Sequence, residues 1–113
     1  MLSMRRGTTP PQTFTLPVEI PQDSLVRVIY AQKQGEEKKV LFVKTGNTVQ
    51  VSGNVVSTKL TQEETFMMDD TKMVFIQIRV LTPDGDAPGF QVLSVKPKEC
   101  LEDVVMSFDE GAE

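Results

Sequence analysis

The sequence contains no histidine, no tryptophan and a single cysteine, Cys100, in 113 residues. Without an imidazole, histidine-based acid–base catalysis and catalytic triads that need histidine are excluded. Zinc sites that take several cysteine and histidine ligands from one chain are also excluded. A single thiol cannot close an intramolecular disulfide, so the fold must depend on side-chain packing.

Two groups of acids, Asp69 with Asp70 and Asp84 with Asp86, are the remaining candidates for site chemistry. Loop carboxylates bind calcium, but the segment PDGDAPG lacks the twelve-residue spacing and the terminal glutamate of an EF-hand loop. Asp–Gly is also ordinary turn chemistry. The acids fall in predicted loops, turns and the tail, where a glycosidase pair across a cleft is not expected. We therefore expect no enzyme, no catalytic residue, no cofactor and no metal.

Basic residues are few, and their distribution is uneven. The chain has 12 lysine and arginine residues against 16 acids, a net charge of −4. Residues 99–113 carry six acids and no base, which leaves 12 bases and 10 acids in residues 1–98. Nucleic-acid surfaces need clustered basic residues to neutralise phosphates. The sequence therefore predicts no nucleic-acid partner.

The N-terminal segment MLSMRRGTTPPQ has no apolar run after its two arginines, so we expect no signal peptide. No stretch of about 18 apolar residues is present, so we expect no membrane partner. The protein is predicted to be made in the cytoplasm. Consecutive prolines favour an extended path, and residues 1–11 are interpreted as an extended N-terminal arm.

Alternating polar and apolar residues predict the first strands. Residues 12–16 alternate, with Phe14 and Leu16 inward, and follow the prolines as a candidate edge strand. Residues 25–33 are rich in β-branched and aromatic side chains, with Val26, Val28 and Tyr30 inward.

Closely spaced turn signals predict a series of antiparallel strands. A polar connection at 34–37 precedes the run KKVLFVKT, which indicates a hairpin. Reversals at 46–47 and 52–54 separate two further strands, the second covering residues 55–60. Thr61 and Glu64 have capping-box spacing, which predicts a short helical turn near 61–68. Residues 73–81 form the predicted central strand, residues 90–95 form the last strand, and the inward set of the central strand is Val74, Ile76, Ile78 and Val80.

About seven strands with regular turns and no long helix predict an all-β fold, an antiparallel immunoglobulin-like β-sandwich. A small closed barrel remains the competing architecture. The disulfide and buried tryptophan of antibody domains are absent, so only the architecture is predicted. The arm, residues 1–11, precedes a sandwich domain at 12–97 and an acidic C-terminal tail at 98–113.

Two regions are candidate contacts with other chains. The arm either docks on a neighbouring molecule or stays mobile. Met73 and Phe75 share the parity of Arg79, which predicts an outward apolar patch, although methionines near the helical turn also suit core packing. Strand edges are a further route to assembly. The candidate partner-binding residues are Arg5, Arg6, Thr8, Pro10, Met73 and Phe75.

Five segments, RGTTP, TFTLP, VRVIYAQ, KLTQEET and IQIRVLTPDG, occur in that order. Together they resemble small proteins encoded among the tail and baseplate genes of bacterial prophages. The resemblance covers residues 5–106, departs around residues 34–45, and leaves SFDEGAE outside. It implies an immunoglobulin-like module similar to the N-terminal domains of phage baseplate and receptor-binding components.

That resemblance implies a non-enzymatic virion structural protein, acting in tail or baseplate assembly or in attachment. Its partners would be other virion proteins, as a homo-oligomer or as part of a larger assembly, and its location would be the virion. The alternative is a carbohydrate- or receptor-binding β-sandwich of a tail fibre or cell surface. Such a module needs exposed aromatic rings, and several of the seven aromatics are predicted core residues.

Overall fold

The computed structural model describes residues 4–102 and 104–108, and this part of the chain is built mainly from β-strands. A 3₁₀ turn, Gly46–Thr48, precedes the fourth strand. In chain order, the described elements are β1 (Pro11–Thr15), β2 (Leu25–Gln34), β3 (Glu37–Thr45), β4 (Val49–Ser52), β5 (Val55–Lys59), α1 (Gln62–Phe66), β6 (Val74–Leu81) and β7 (Leu93–Val95).

The strands form two antiparallel sheets. The three-stranded sheet has the order β1-β5-β4, and the four-stranded sheet has the order β3-β2-β6-β7. Neither sheet closes on itself within the described residues, so the fold is an all-β sandwich and the barrel alternative is wrong. The predicted edge position of β1 and central position of β6 are both confirmed.

Alternation along the strands builds the core between the two sheets. Burying a valine, leucine or isoleucine side chain contributes about 1.5–3 kcal/mol, so this layer supplies the main stabilising term. Every residue predicted to face inward is buried: Phe14, Leu16, Val26, Val28, Tyr30, Val74, Ile76, Ile78 and Val80.

The predicted helical turn is confirmed as α1, and its cap has the expected form. The Thr61 hydroxyl accepts from the Glu64 backbone N–H at 3.1 Å, and the Glu64 carboxylate accepts from the Thr61 N–H at 2.9 Å. These bonds satisfy two helix donors that would otherwise lack a partner.

No helix in the described part of the chain is long and apolar enough to cross a bilayer.

The last strand is shorter than predicted. β7 begins at Leu93 instead of Phe90 and pairs with β6 only along Val74–Ile76. The Phe90 side chain packs on the core, but its backbone joins no ladder. Phe90 is therefore apolar because it contacts the core and not because it pairs in a strand, whereas Val92 is exposed.

The predicted N-terminal arm contacts the sandwich from Met4 onward. The Met4 side chain is 2% exposed and belongs to the core. Lys98 donates its backbone N–H to the Met4 carbonyl at 2.8 Å, and Arg6 donates to the Lys98 carbonyl at 3.0 Å. The buried Met4 side chain holds residues 4–6 against the sandwich, and the two hydrogen bonds join them to Lys98. Residues 1–3 of the arm lie outside the described residues.

Candidate partner-binding groove

Strand β6 has one fully paired side and one open side. It pairs with β2 along its whole length, Val74–Leu81, but its pairing with β7 ends at Ile76. Residues 77–81 therefore have no strand on that side within the described chain. An unpaired row of backbone N–H and C=O groups is a template for another strand.

The open side of β6 and the edge strand β1 border the same groove, which has a volume of about 670 Å³. None of the described residues that line it is charged. Its lining comprises Pro11, Thr13, Phe14, Thr15, Leu16 and Pro17 on the β1 side, with Ile78, Gly89, Phe90, Gln91 and Leu93 opposite. An extended segment in this groove would meet an open edge of each sheet.

A segment that we call the strap, residues 87–91, crosses the open side of β6. Its residues make no hydrogen bond to the rest of the described chain. Phe90 borders the groove and two further cavities, of about 470 and 430 Å³. The Phe90 ring packs against the core, and displacing the strap would break no hydrogen bond between the strap and the described residues.

Two arginines lie beside the strap on the outer face of the large sheet. Arg27 of β2 and Arg79 of β6 are directly opposite each other in the sheet register. Both line the 430 Å³ cavity together with residues of the strap. Neither guanidinium makes a hydrogen bond or an ion pair with any described residue. Like charges directly opposite are destabilising, so this pair favours an anionic neighbour.

The structure places the candidate arm residues against α1 and the chain around residue 98, away from the lining of the groove. The Arg5 guanidinium donates to the Glu99 carbonyl at 2.8 Å, and the Arg6 guanidinium lies 5.4 Å from the Phe66 ring centroid. The Thr8 hydroxyl donates to the Arg5 carbonyl at 2.6 Å. Pro10 accepts from the Leu60 N–H at 3.2 Å.

Met73 and Phe75 lie elsewhere. Met73 is 41% exposed, and Phe75 is half-buried under Lys38, whose ammonium lies 4.1 Å from the ring centroid. Neither residue lines the groove. A role of these two residues, or of the arm residues, in binding a partner stays a prediction.

Sequence reasoning predicted β1 as an edge but missed the open side of β6, the strap and the Arg27–Arg79 pair. Pro88 and Gly89 were the available signal that the chain does not enter a strand at Phe90. The arginine pair had no such signal, because it exists only through the register of β2 on β6. Register follows from pairing across the sheet, which the local pattern does not specify.

Titratable side chains in the interior are arranged around Tyr30. Burial, and to a smaller extent the nearby Glu64 carboxylate, raise the pKa of the Tyr30 hydroxyl. Glu64 itself accepts from the buried Lys44 ammonium at 2.8 Å. None of these residues lines the groove.

In the described part of the chain, no three histidine, cysteine, aspartate or glutamate residues are grouped so as to hold a metal ion.

Comparison with known proteins gives no match: no family model, no curated protein and no solved structure matches this chain. The groove and its surroundings are therefore the basis for the functional argument. They offer open strand edges, an uncharged lining and a nearby pair of arginines without a partner among the described residues.

Proposed function

We propose that this chain is a non-enzymatic assembly module that binds an extended segment of a partner protein in the groove between β1 and β6. The observation that carries the proposal is that two unpaired strand edges border one groove. Strand addition supplies main-chain hydrogen bonds, and pockets for alternate side chains supply specificity. The uncharged lining suits apolar side chains of the incoming segment.

The resemblance of the sequence to prophage tail and baseplate proteins supports a more specific form of the proposal. The chain would be an immunoglobulin-like structural or attachment module in the virion of a tailed phage, in contact with other virion proteins. Arg5, Arg6, Thr8, Pro10, Met73 and Phe75 are proposed as secondary contacts. They lie outside the groove, so they extend the contact area instead of forming its centre.

Incorporation of matched variants into phage particles tests this proposal. Thr13 is an exposed β1 residue that lines the groove, whereas Gln50 is an exposed residue of β4 at the opposite edge of the same sheet. We expect Thr13→Lys to reduce incorporation, measured by quantitative mass spectrometry of purified particles, because a lysine head blocks the groove. Gln50→Lys should be incorporated normally.

Two results would count against the proposal. Equal incorporation of Thr13→Lys and Gln50→Lys would remove the groove as the binding site. Absence of the unaltered protein from purified particles would remove the virion role. Thermal unfolding followed by circular dichroism must show that both variants fold, which surface changes at exposed positions should permit.

The carbohydrate-binding alternative needs aromatic rings exposed for stacking on sugars. Among the described residues, Phe108 is the ring that is fully exposed, whereas Phe14 is buried and Phe90 is half-buried in the groove. No specific feature of the groove favours a sugar over an extended peptide. A glycan array with the intact protein checks this alternative, and specific binding there would favour it.

A further inference from the structure

The C-terminal tail presents a run of apolar side chains to solvent. Leu101 and Phe108 are 96% and 103% exposed, and Val104, Val105 and Met106 are exposed as well. Contiguous exposed apolar surface of this kind marks an interaction site. Within its own chain, the Gln62 side chain accepts from the Met106 N–H at 2.8 Å and donates to the Met106 carbonyl at 3.2 Å.

The sequence of this tail has the period of a β-strand. Val104, Met106 and Phe108 alternate with Val105, Ser107 and Asp109. Side chains of a strand point to opposite faces in turn, so an extended tail has one face made entirely of large apolar residues. Such a strand needs a partner that offers backbone pairing and an apolar surface together.

We propose that the groove is filled by residues 104–109 of a second copy of this chain, added as a strand to the open side of β6. This inference rests on the proposed function, because it names the partner of the same groove. In this arrangement the set Val104, Met106 and Phe108 lies on the face of Ile78 and Val80. The other set lies on the outer face of the sheet, beside Arg79.

Charge complementarity supports this choice of partner. Residues 99–113 carry six acids and no base. The outer face beside the open edge carries Arg27 and Arg79, directly opposite each other and without an ion pair in the described chain. An aspartate that enters this face relieves the repulsion between the two guanidinium groups and forms charge-assisted hydrogen bonds with them.

The tail of the same copy has a different position, which favours a second copy as the donor. Its cavity, of about 420 Å³, is lined by Gly7, Thr8, Thr9, Gln62 and residues 106–108. None of these residues lines the groove. Exchange between copies breaks contacts of the tail, among them the two hydrogen bonds to Gln62, and displaces the strap, which makes no hydrogen bond to the described residues. The new ladder along residues 77–81 replaces those bonds.

Sedimentation velocity of the full-length chain over a wide concentration range tests the proposal. We expect self-association, and hydrogen exchange at residues 77–81 that slows as the complex forms. Phe108→Asp removes the apolar ring that the tail would insert into the groove. Arg27→Glu with Arg79→Glu reverses the charge beside the open side of β6 that would receive the tail. Each variant should weaken association by about thirtyfold or more, as for loss of a central interface residue. Val51→Asp, at an exposed apolar residue of β4, is the matched control and should associate normally.

Mixing the two variants gives the sharpest test. The Phe108→Asp protein keeps an intact groove, and the doubly charge-reversed protein keeps an intact tail. At a concentration where the unaltered chain associates and the weakened variants do not, each alone should be monomeric, whereas their mixture should form a one-to-one complex in which one copy donates its tail to the other. A mixture that stays monomeric would overturn the proposal. So would association of the unaltered chain that Phe108→Asp leaves unchanged.

A monomeric chain would also overturn the exchange between copies. Suppose that the chain is monomeric, that residues 77–81 exchange their amide hydrogens slowly, and that Phe108→Asp makes this exchange fast. The tail would then occupy the groove of its own chain. If residues 77–81 were unprotected while Thr13→Lys still reduced incorporation into particles, the groove would take a different partner and the proposed function would stand. If Thr13→Lys also had no effect, both proposals would fail.

Discussion

The buried ammonium of Lys44 on β3 donates to the carboxylate of Glu64 on α1, at 2.8 Å to Oε1 and 3.1 Å to Oε2. Lys44 points inward from an edge strand, and the same strand has a register shift opposite Tyr30 and Ala31. Inward charges and bulges are devices that discourage an edge from pairing with other chains. The β3 edge is protected in this way, whereas β6 has neither an inward charge nor a register shift along its described residues.

Breaking the ion pair on one side should destabilise the fold. Glu64→Gln keeps the cap on Thr61 but leaves the Lys44 charge buried without its counterion, so we expect a loss of about 3 kcal/mol in the free energy of unfolding. Urea denaturation measures this loss. The double variant Lys44→Met with Glu64→Gln should recover most of it. A single variant as stable as the unaltered chain would show that water solvates the ammonium.

Removing the Tyr30 hydroxyl should not destabilise the protein. This hydroxyl is buried without a hydrogen-bond partner among the described residues, while the Tyr30 ring stacks on Phe42 with centroids 4.7 Å apart. Leaving a buried polar group unpaired costs about 1–3 kcal/mol. Tyr30→Phe should therefore raise the free energy of unfolding by about 1 kcal/mol. Tyr30→Leu, which loses the ring contact, is the contrasting variant, and a Tyr30→Phe protein that unfolds earlier would contradict this explanation.

Truncating Met4 should destabilise the protein, because its side chain lies in the core. Methionine-to-alanine changes in cores typically cost about 2–5 kcal/mol. We expect Met4→Ala to lower the unfolding midpoint in urea accordingly. Met67→Ala, at a methionine that is 50% exposed, is the matched control and should change little. Equal effects of the two changes would mean that the arm does not stabilise the domain.

The carboxyl of Asp69 should titrate below its ordinary value near 3.8, because hydrogen bonds from the Thr71 hydroxyl and N–H stabilise the carboxylate and lower its pKa. The charges of Lys72 and Arg6 act in the same direction. Since the folded pKa is depressed, the stability from this group is present above the ordinary pKa. It is lost as the pH falls through the lower folded pKa.

Two substitutions at Thr71 check this assignment by NMR titration of the Asp69 carboxyl. Thr71→Val removes the hydroxyl donor and should raise the pKa of Asp69 toward its ordinary value. Thr71→Ser keeps the donor and should leave the pKa low. If Thr71→Val caused no change, the hydroxyl would not be the main cause of the lowered pKa.

Local patterns in the sequence were sufficient for the presence of the strands, the inward faces of the core strands and the capped helical turn, but not for the start of β7. Val74, Ile76, Ile78 and Val80 could be predicted as core because burial on one face of a strand forces a period of two. Thr61 and Glu64 could be predicted as a cap because they are three residues apart. Each of these features depends on residues that are neighbours in the chain.

Tertiary structure alone decided which parts of the chain meet. Met4 enters the core and Lys44 contacts Glu64 because segments that are distant in sequence pack together. A local sequence pattern does not specify contacts between such distant segments. The opposition of Arg27 and Arg79 likewise depends on the register of β2 and β6, which lie far apart in the sequence. Composition and spacing specified seven short strands and the buried faces of β1, β2 and β6, whereas the edge that stays open follows from how the sheets assemble.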